Sequence, residues 1–197
     1  MARPQGAASE RKERADAARN RARILAAAER LFAERGATNV SMEDVATAAG
    51  VGKGTLYRRY PDRAALAVAL LDEHERQLQQ HLLDGPPPLG PGAPPAERLA
   101  AFYGAMVDLI DQHLELALAA ETGPARFRTG AYRFWRAHMR VLLREAGVPD
   151  PADVLAETLL APLAPELYQQ LRERDVSPAE VRDGLAALAR RALAGIS

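Results

Sequence analysis

The chain's 197 residues include no cysteine. A disulfide framework and a thiolate metal site are excluded, and a reducing, cytoplasmic setting is expected. Aromatic residues make up only 5%. β-branched residues are scarce, whereas alanine, leucine, arginine and glutamate abound, a balance that predicts an all-α fold. Long apolar runs are also missing: the longest, Ala64–Leu71, is far too short to span a bilayer. The N-terminus is charged and lacks an apolar segment, so no secretory signal is expected. Net charge is absent as well, with 26 Lys+Arg against 26 Asp+Glu.

That neutrality conceals two opposite halves. Residues 1–63 hold 13 basic and 8 acidic side chains, and residues 64–197 hold 13 and 18. A basic front on an acidic rear points to a nucleic-acid-facing module on a body that DNA repels. The hydrophobic content of 48% is enough for a sizeable core.

The front half is organised around Ser41–Tyr60, SMEDVATAAGVGKGTLYRRY. Ser41 is a good N-cap, with Asp44 three residues on to complete a capping box. Val45, Ala46 and Ala49 form an apolar face at helical spacing. Gly50 stops that helix, because a left-handed residue is cheap only for glycine. Val51 anchors the turn. A second helix then runs from about Gly52 to Tyr60, with Leu56 inward and Lys53, Thr55, Tyr57, Arg58 and Arg59 outward. Two readings compete: a DNA-binding helix-turn-helix and an ordinary surface helical hairpin that carries arginines. The glycines of Gly50–Thr55 are not a phosphate-binding loop, since no Ser or Thr follows the Gly-Lys pair and no strand precedes it.

The stretch AAGVGKGTLYRRYPDRAAL, Ala48 to Leu66, resembles the signature of TetR-family transcriptional regulators, in which G-V-S-x-G-T-L-Y-x-x-F is typical. The likeness is strong over about residues 21–71 and otherwise rests on helical layout. Gly52 stands where a capping serine is common, and Tyr60 replaces the usual phenylalanine. The resemblance implies a DNA-binding regulator, a repressor bound as a homodimer to a palindromic operator and released by a small molecule. It implies that Lys53 and Thr55 face base edges. Ser41, Tyr57, Arg59 and Arg63 hold phosphates, and Gly54 and Arg58 lie in the same interface. It places Glu43 near the bases, where an acid can accept from a cytosine. The alternative is a helical small-molecule-binding or assembly protein whose helix-turn-helix is only scaffold.

The rest of the chain divides into helices. Residues 1–14 are expected as a disordered basic arm, either reaching DNA or simply solvated. Residues 15–61 are expected as the DNA-binding domain, and residues 62–197 as an effector-binding and dimerisation domain, about nine helices in all. Helix 1 covers about Ala15–Arg35, and helix 4 runs from Asp62 to about Leu83. The proline-rich loop Asp84–Pro95 precedes helix 5 (Pro95–Asp111) and helix 6 (Leu114–Glu121). Helix 7 covers Ala125–Glu145, broken from helix 6 by Thr122-Gly123-Pro124. Helix 8 starts at Asp150-Pro151 and runs to about Arg172, kinked at Pro162 and Pro165. Helix 9 opens with the capping box at Ser177 and Glu180. The C-terminal pair resembles the family's dimer helices, which implies Leu159, Leu163, Leu185 and Leu188 in an interface with a second copy.

Catalysis has no support. The four histidines show no metal-binding spacing, and Ser41 and Ser177 are caps rather than nucleophiles. No enzyme, cofactor or metal is expected. Phe102, Met106, Tyr132, Trp135 and Met139 recur at helical spacing. Such a stripe is either plain core or the lining of a ligand cavity, and the resemblance favours an unidentified effector there. His113, Arg136 and Glu121 are candidate polar contacts.

Overall fold

The computed structural model describes residues 5–36, 39–120, 127, 129–149 and 151–193, which form ten α-helices, one 3-10 turn and no strand. The helices are α1 Gln5–Arg35, α2 Met42–Ala49, α3 Lys53–Arg59, α4 Arg63–Asp84 and α5 Pro95–Gln112. They continue with α6 Leu114–Ala120, α7 Gly130–Glu145, α8 Asp153–Leu160, the 3-10 turn Ala161–Leu163, α9 Pro165–Arg172 and α10 Pro178–Leu193. The expected all-α class holds.

The chain divides into two compact units, residues 1–70 and 71–197. This differs from the division expected at residues 61 and 62, and packing explains the shift. Leu66 and Leu70, in the first turns of α4, are buried in the same core as Ile24, Ala28, Val45 and Leu56. A boundary read from Pro61 misses them, because a proline marks a turn and not the limit of a core. The expected arm is corrected too: residues 5–14 belong to α1. Residues 1–4 lie outside the described residues.

In the N-terminal unit α2 begins as its sequence requires. Asp44 N–H donates to Ser41 Oγ at 3.1 Å, and the Asp44 carboxylate accepts from Ser41 N–H at 3.0 Å. The helix stops at Gly50, at φ 61° and ψ 40°. Gly50 N–H donates to Thr47 O at 3.1 Å and Val51 N–H to Ala46 O at 3.0 Å. These bonds satisfy carbonyls the helix end leaves without partners. They also turn the chain, so that α3 starts with its one buried side chain, Leu56, directed into the core.

The second unit is built on α5 and α7. Phe102, Tyr103, Leu99, Met139 and Leu143 are completely buried. α10 packs along α5, and α7 along α8. Tyr103 donates its hydroxyl to Leu159 O at 2.7 Å, serving a carbonyl near the end of α8. Burial pushes that phenol's pKa up. The kink expected at Pro162 and Pro165 is a full break, which makes two helices and a 3-10 turn of the expected helix 8. That helix starts at Asp153 with Ala152 as N-cap, later than expected; Asp150 lies outside the described residues. α7 also begins later than Ala125: Thr129 caps it, accepting from Tyr132 N–H at 3.1 Å. Gly130 therefore occupies the first helical position, where it costs little, instead of the interior. The break at Thr122-Gly123-Pro124 lies outside the described residues. The capping box of α10 forms as expected, with Glu180 N–H on Ser177 Oγ at 3.2 Å.

Candidate nucleic-acid interface

The outer face of α3 carries the side chains picked out in the sequence. Lys53, Gly54, Tyr57, Arg58 and Arg59 are exposed and Thr55 half-buried. Arg63, at the first position of α4, is also exposed. The helix alternates these with Leu56, so one turn both anchors and presents.

Several of these groups already have partners. Ser41 Oγ serves the cap of α2 and donates to Asp44 Oδ2 at 2.7 Å. Arg58 Nε donates to Gly54 O at 3.1 Å, which folds the guanidinium along its own helix. Arg59 Nη1 donates to Ala17 O at 2.9 Å, tying the end of α3 to α1. Arg23 reaches the other side of the turn, with Nη2 3.1 Å from Gly50 O. Arginine suits both tasks, because one bond leaves other guanidinium donors available. Sequence spacing does not reveal the ties to α1, since 42 and 27 residues separate the partners.

Glu43 differs most from its expected role. Its Oε1 lies 3.5 Å from Lys53 Nζ and accepts from Tyr57 Oη at 3.3 Å. The carboxylate expected to meet a cytosine is turned toward α3. Its pKa is held below the ordinary value by a backbone hydrogen bond first and the Lys53 charge second.

Two glycines of the motif have opposite physical meanings. At Gly50 a side chain is strained by the positive φ, and a Cβ would stand 2.5 Å from Arg23 Nη2. At Gly54 a Cβ would meet nothing within 4 Å, so the protein's own packing does not require glycine there.

In the second unit α5 and α7 bring the expected aromatic set together. Phe102 and Trp135 have ring centroids 5.7 Å apart, and Met106 and Met139 are buried in the same cluster. Tyr132 is half-buried and donates to Glu157, which also pairs with Arg136 at 3.7 Å. Glu121 lies outside the described residues. His113 points elsewhere: its Nε2 is 2.5 Å from His74 Nδ1. Burial, and then His74, lower its pKa to about 4, so it is neutral at pH 7.

Sequence reasoning missed Arg98, whereas His138 was expected with His113 either as a polar site or as a semi-buried histidine, and His113 meets His74 instead. His138 packs its ring 5.5 Å from Phe102, and burial followed by the Arg98 charge lowers its pKa to about 4. Arg98 is buried and pairs with Glu145 at 2.6 Å. His138 Nε2 and Arg98 Nε have no hydrogen-bond partner. An arginine in the first turn of α5 reads as surface, which hid Arg98.

The expected dimer residues divide. Leu159 and Leu163 are 3% and 6% exposed and belong to the chain's own core, so they are corrected out of any interface. Their spacing marked a buried face without saying what buries it. Leu185 is half-buried and Leu188 is 37% exposed. Among the described residues no helix is long and apolar enough to cross a membrane, and no cluster of three or more potential ligands is placed to hold a metal ion.

The two glycines give a paired prediction. Gly50→Ala should destabilise the protein by about 1–2 kcal/mol, the cost of a left-handed residue. Gly54→Ala should raise stability by about 0.5–1 kcal/mol through helix propensity. If α3 meets DNA, the same methyl should weaken duplex binding. Urea unfolding and duplex titration of the two variants check both halves.

Comparison with known proteins bears on the same residues. Residues 24–70 match the sequence family described as bacterial regulatory proteins, tetR family. An uncharacterized HTH-type transcriptional regulator of Mycobacterium tuberculosis is 39% identical over 95 residues, 48% of this chain and 46% of that protein. An HTH-type transcriptional regulator of Staphylococcus aureus is 47% identical over 53 residues, 27% of this chain and 29% of that protein. The chain thus spans about half, or less, of the length of these relatives. In fold it is similar to a TetR transcriptional regulator from Rhodococcus sp. RHA1, with a TM-score of 0.63 and 23% identity over 92% of this chain and 100% of that one. A tetR-family transcriptional regulator from Streptomyces coelicolor gives a TM-score of 0.58 at 19% identity, covering 87% and 82%. The matched stretch is the three-helix core and the start of α4, and over residues 24–70 the chain carries the sequence pattern of the bacterial regulatory proteins of the tetR family.

Proposed function

We propose that the chain binds double-stranded DNA as a homodimer on a palindromic operator, represses transcription, and is released by a small molecule. The observation that carries the reading is the outer face of α3: five exposed residues, three of them cationic, on a helix whose one buried residue is Leu56. A helix so presented suits the major groove, where Lys53 and Thr55 reach base edges. Arg58, Arg59 and Arg63 neutralise phosphates, which position the protein without specifying sequence. The half-site spacing in such a dimer is about one helical turn, roughly 34–36 Å.

The test is affinity for a duplex enriched from a random pool, measured across a range of salt. Lys53→Ala should relax sequence preference. Arg59→Ala should weaken binding to all sequences and flatten the salt slope by about one unit. Unchanged affinity in both variants would mean that α3 is not the reader.

Dimerisation through α10 is supported by Leu188, left exposed beside half-buried Val181 and Leu185. Leu188→Arg should give a monomer of unchanged helicity that loses operator affinity. An unchanged dimer mass by ultracentrifugation would move the interface elsewhere.

Effector binding is supported by the Phe102–Trp135 cluster, against which His138 packs with its Nε2 unpartnered. Trp135 is the only tryptophan. A true effector should change its emission over the concentrations that release DNA, and Trp135→Ala should weaken that response while sparing DNA affinity. Full release with silent emission, and equally from the variant, places the effector elsewhere.

A further inference from the structure

We propose that Glu43 is a positioning residue of the DNA interface: it holds Lys53 and Tyr57 in place, and so sets specificity without contacting a base. The inference rests on the DNA-binding reading above. It starts from helix geometry. Lys53 and Tyr57 are four residues apart on α3 and therefore share one face. Glu43 projects from the first turn of α2, and both groups converge on its Oε1, at 3.5 Å and 3.3 Å. One oxygen thus joins two side chains that stand one turn apart on the reading helix.

Three consequences follow from the chemistry. A lysine is a point charge on a flexible four-carbon stem, and a fixed carboxylate restrains where that charge points. Lys53 and Glu43 remain well exposed, with side chains 66% and 46% accessible, so the pair is available to a docking duplex. An ion pair this exposed contributes little to folding stability, which leaves its effect on binding as its main consequence.

The second consequence concerns unselected DNA. Non-specific affinity comes essentially from cations that neutralise phosphates. While Lys53 is paired with Glu43, its charge is partly compensated and adds little to that term. DNA of the wrong sequence gains little from Lys53 and meets an uncompensated carboxylate if it draws the lysine away. The correct sequence offers base-edge acceptors to a lysine already aimed at them. Glu43 therefore lowers the background more than it lowers the specific complex. The third consequence is for Tyr57. Its hydroxyl proton is committed to Glu43, so toward DNA its oxygen can act only as an acceptor.

Glu43→Gln keeps the size of the side chain and removes the charge. The full chain is compared with this variant on two probes: a duplex enriched from a random pool by the wild-type protein, and a random-sequence duplex of equal length. Affinities are measured between about 50 and 200 mM salt. Glu43→Gln should bind the random duplex several-fold more tightly, steepen the salt slope by about one unit, and prefer the enriched duplex several-fold less. In a Lys53→Ala background the same substitution should leave the slope unchanged, because the cation it frees is gone. Tyr57→Phe, a second variant, should lower preference without changing the slope. Circular dichroism establishes that each variant is folded.

An unchanged slope and preference in Glu43→Gln overturns the inference. So does an effect of equal size with and without Lys53, or one confined to duplexes with cytosine at a single position, which would make Glu43 a direct reader. A wild-type chain that enriches no duplex overturns the DNA-binding reading itself and is recognisably a different failure.

Discussion

The left-handed turn at Gly50 is the constraint on which the N-terminal unit depends. α3 has seven residues, far below the roughly 12–15 at which a helix is even marginal alone. Burial of Leu56 alone does not order such a segment, which depends also on its own hydrogen bonds and on its attachments at both ends. At one end are the two bonds that close the turn on Ala46 and Thr47; at the other is Arg59 on Ala17. Arg23 buttresses the turn from α1 through Gly50 O. A short helix held at its ends and by one residue in the middle leaves the remainder of its surface free, and that surface is the interface.

What was legible in the sequence was local. The capping boxes at Ser41 and Ser177, the stop at Gly50 and the inward Leu56 depend on residues within a few positions of one another. So does the Trp135 and Met139 stripe of α7. What was not legible depends on partners far away in the chain. Glu43 is expected near the bases from the resemblance alone, yet Lys53 and Tyr57 reach it from the next helix. Leu159 and Leu163 have the periodicity of a buried face, and periodicity does not distinguish a core from an interface. Arg98 and Glu145, 47 residues apart, bury a cation that composition would put on the surface.

The two units differ in how they use polar groups. In the N-terminal unit nearly every charged group named here is exposed, and its bonds orient it more than they stabilise it. In the second unit His138, Arg98 and Tyr103 are buried, with Phe102 beside the rings of His138 and Tyr103. Tyr103 is satisfied by Leu159 O, whereas His138 and Arg98 each keep an unpartnered nitrogen. An unpaired buried donor or acceptor is costly, so such atoms mark where a core departs from pure packing.

The position of the boundary within α4 has a practical meaning for recombining such proteins. Leu66 and Leu70 complete the core beneath the helix-turn-helix, although they follow Pro61, where the helix-turn-helix itself ends. A transplant of the front module cut at Pro61 would leave two leucine-sized holes under α1 and strand two leucines on the recipient. A cut after residue 70 carries the whole core across, at the cost of joining two helices in mid-course, where the junction must preserve the helical phase. The natural module therefore reaches about one turn of helix beyond the signature that ends at Leu66, and a chimera cut at Pro61 begins with a damaged core.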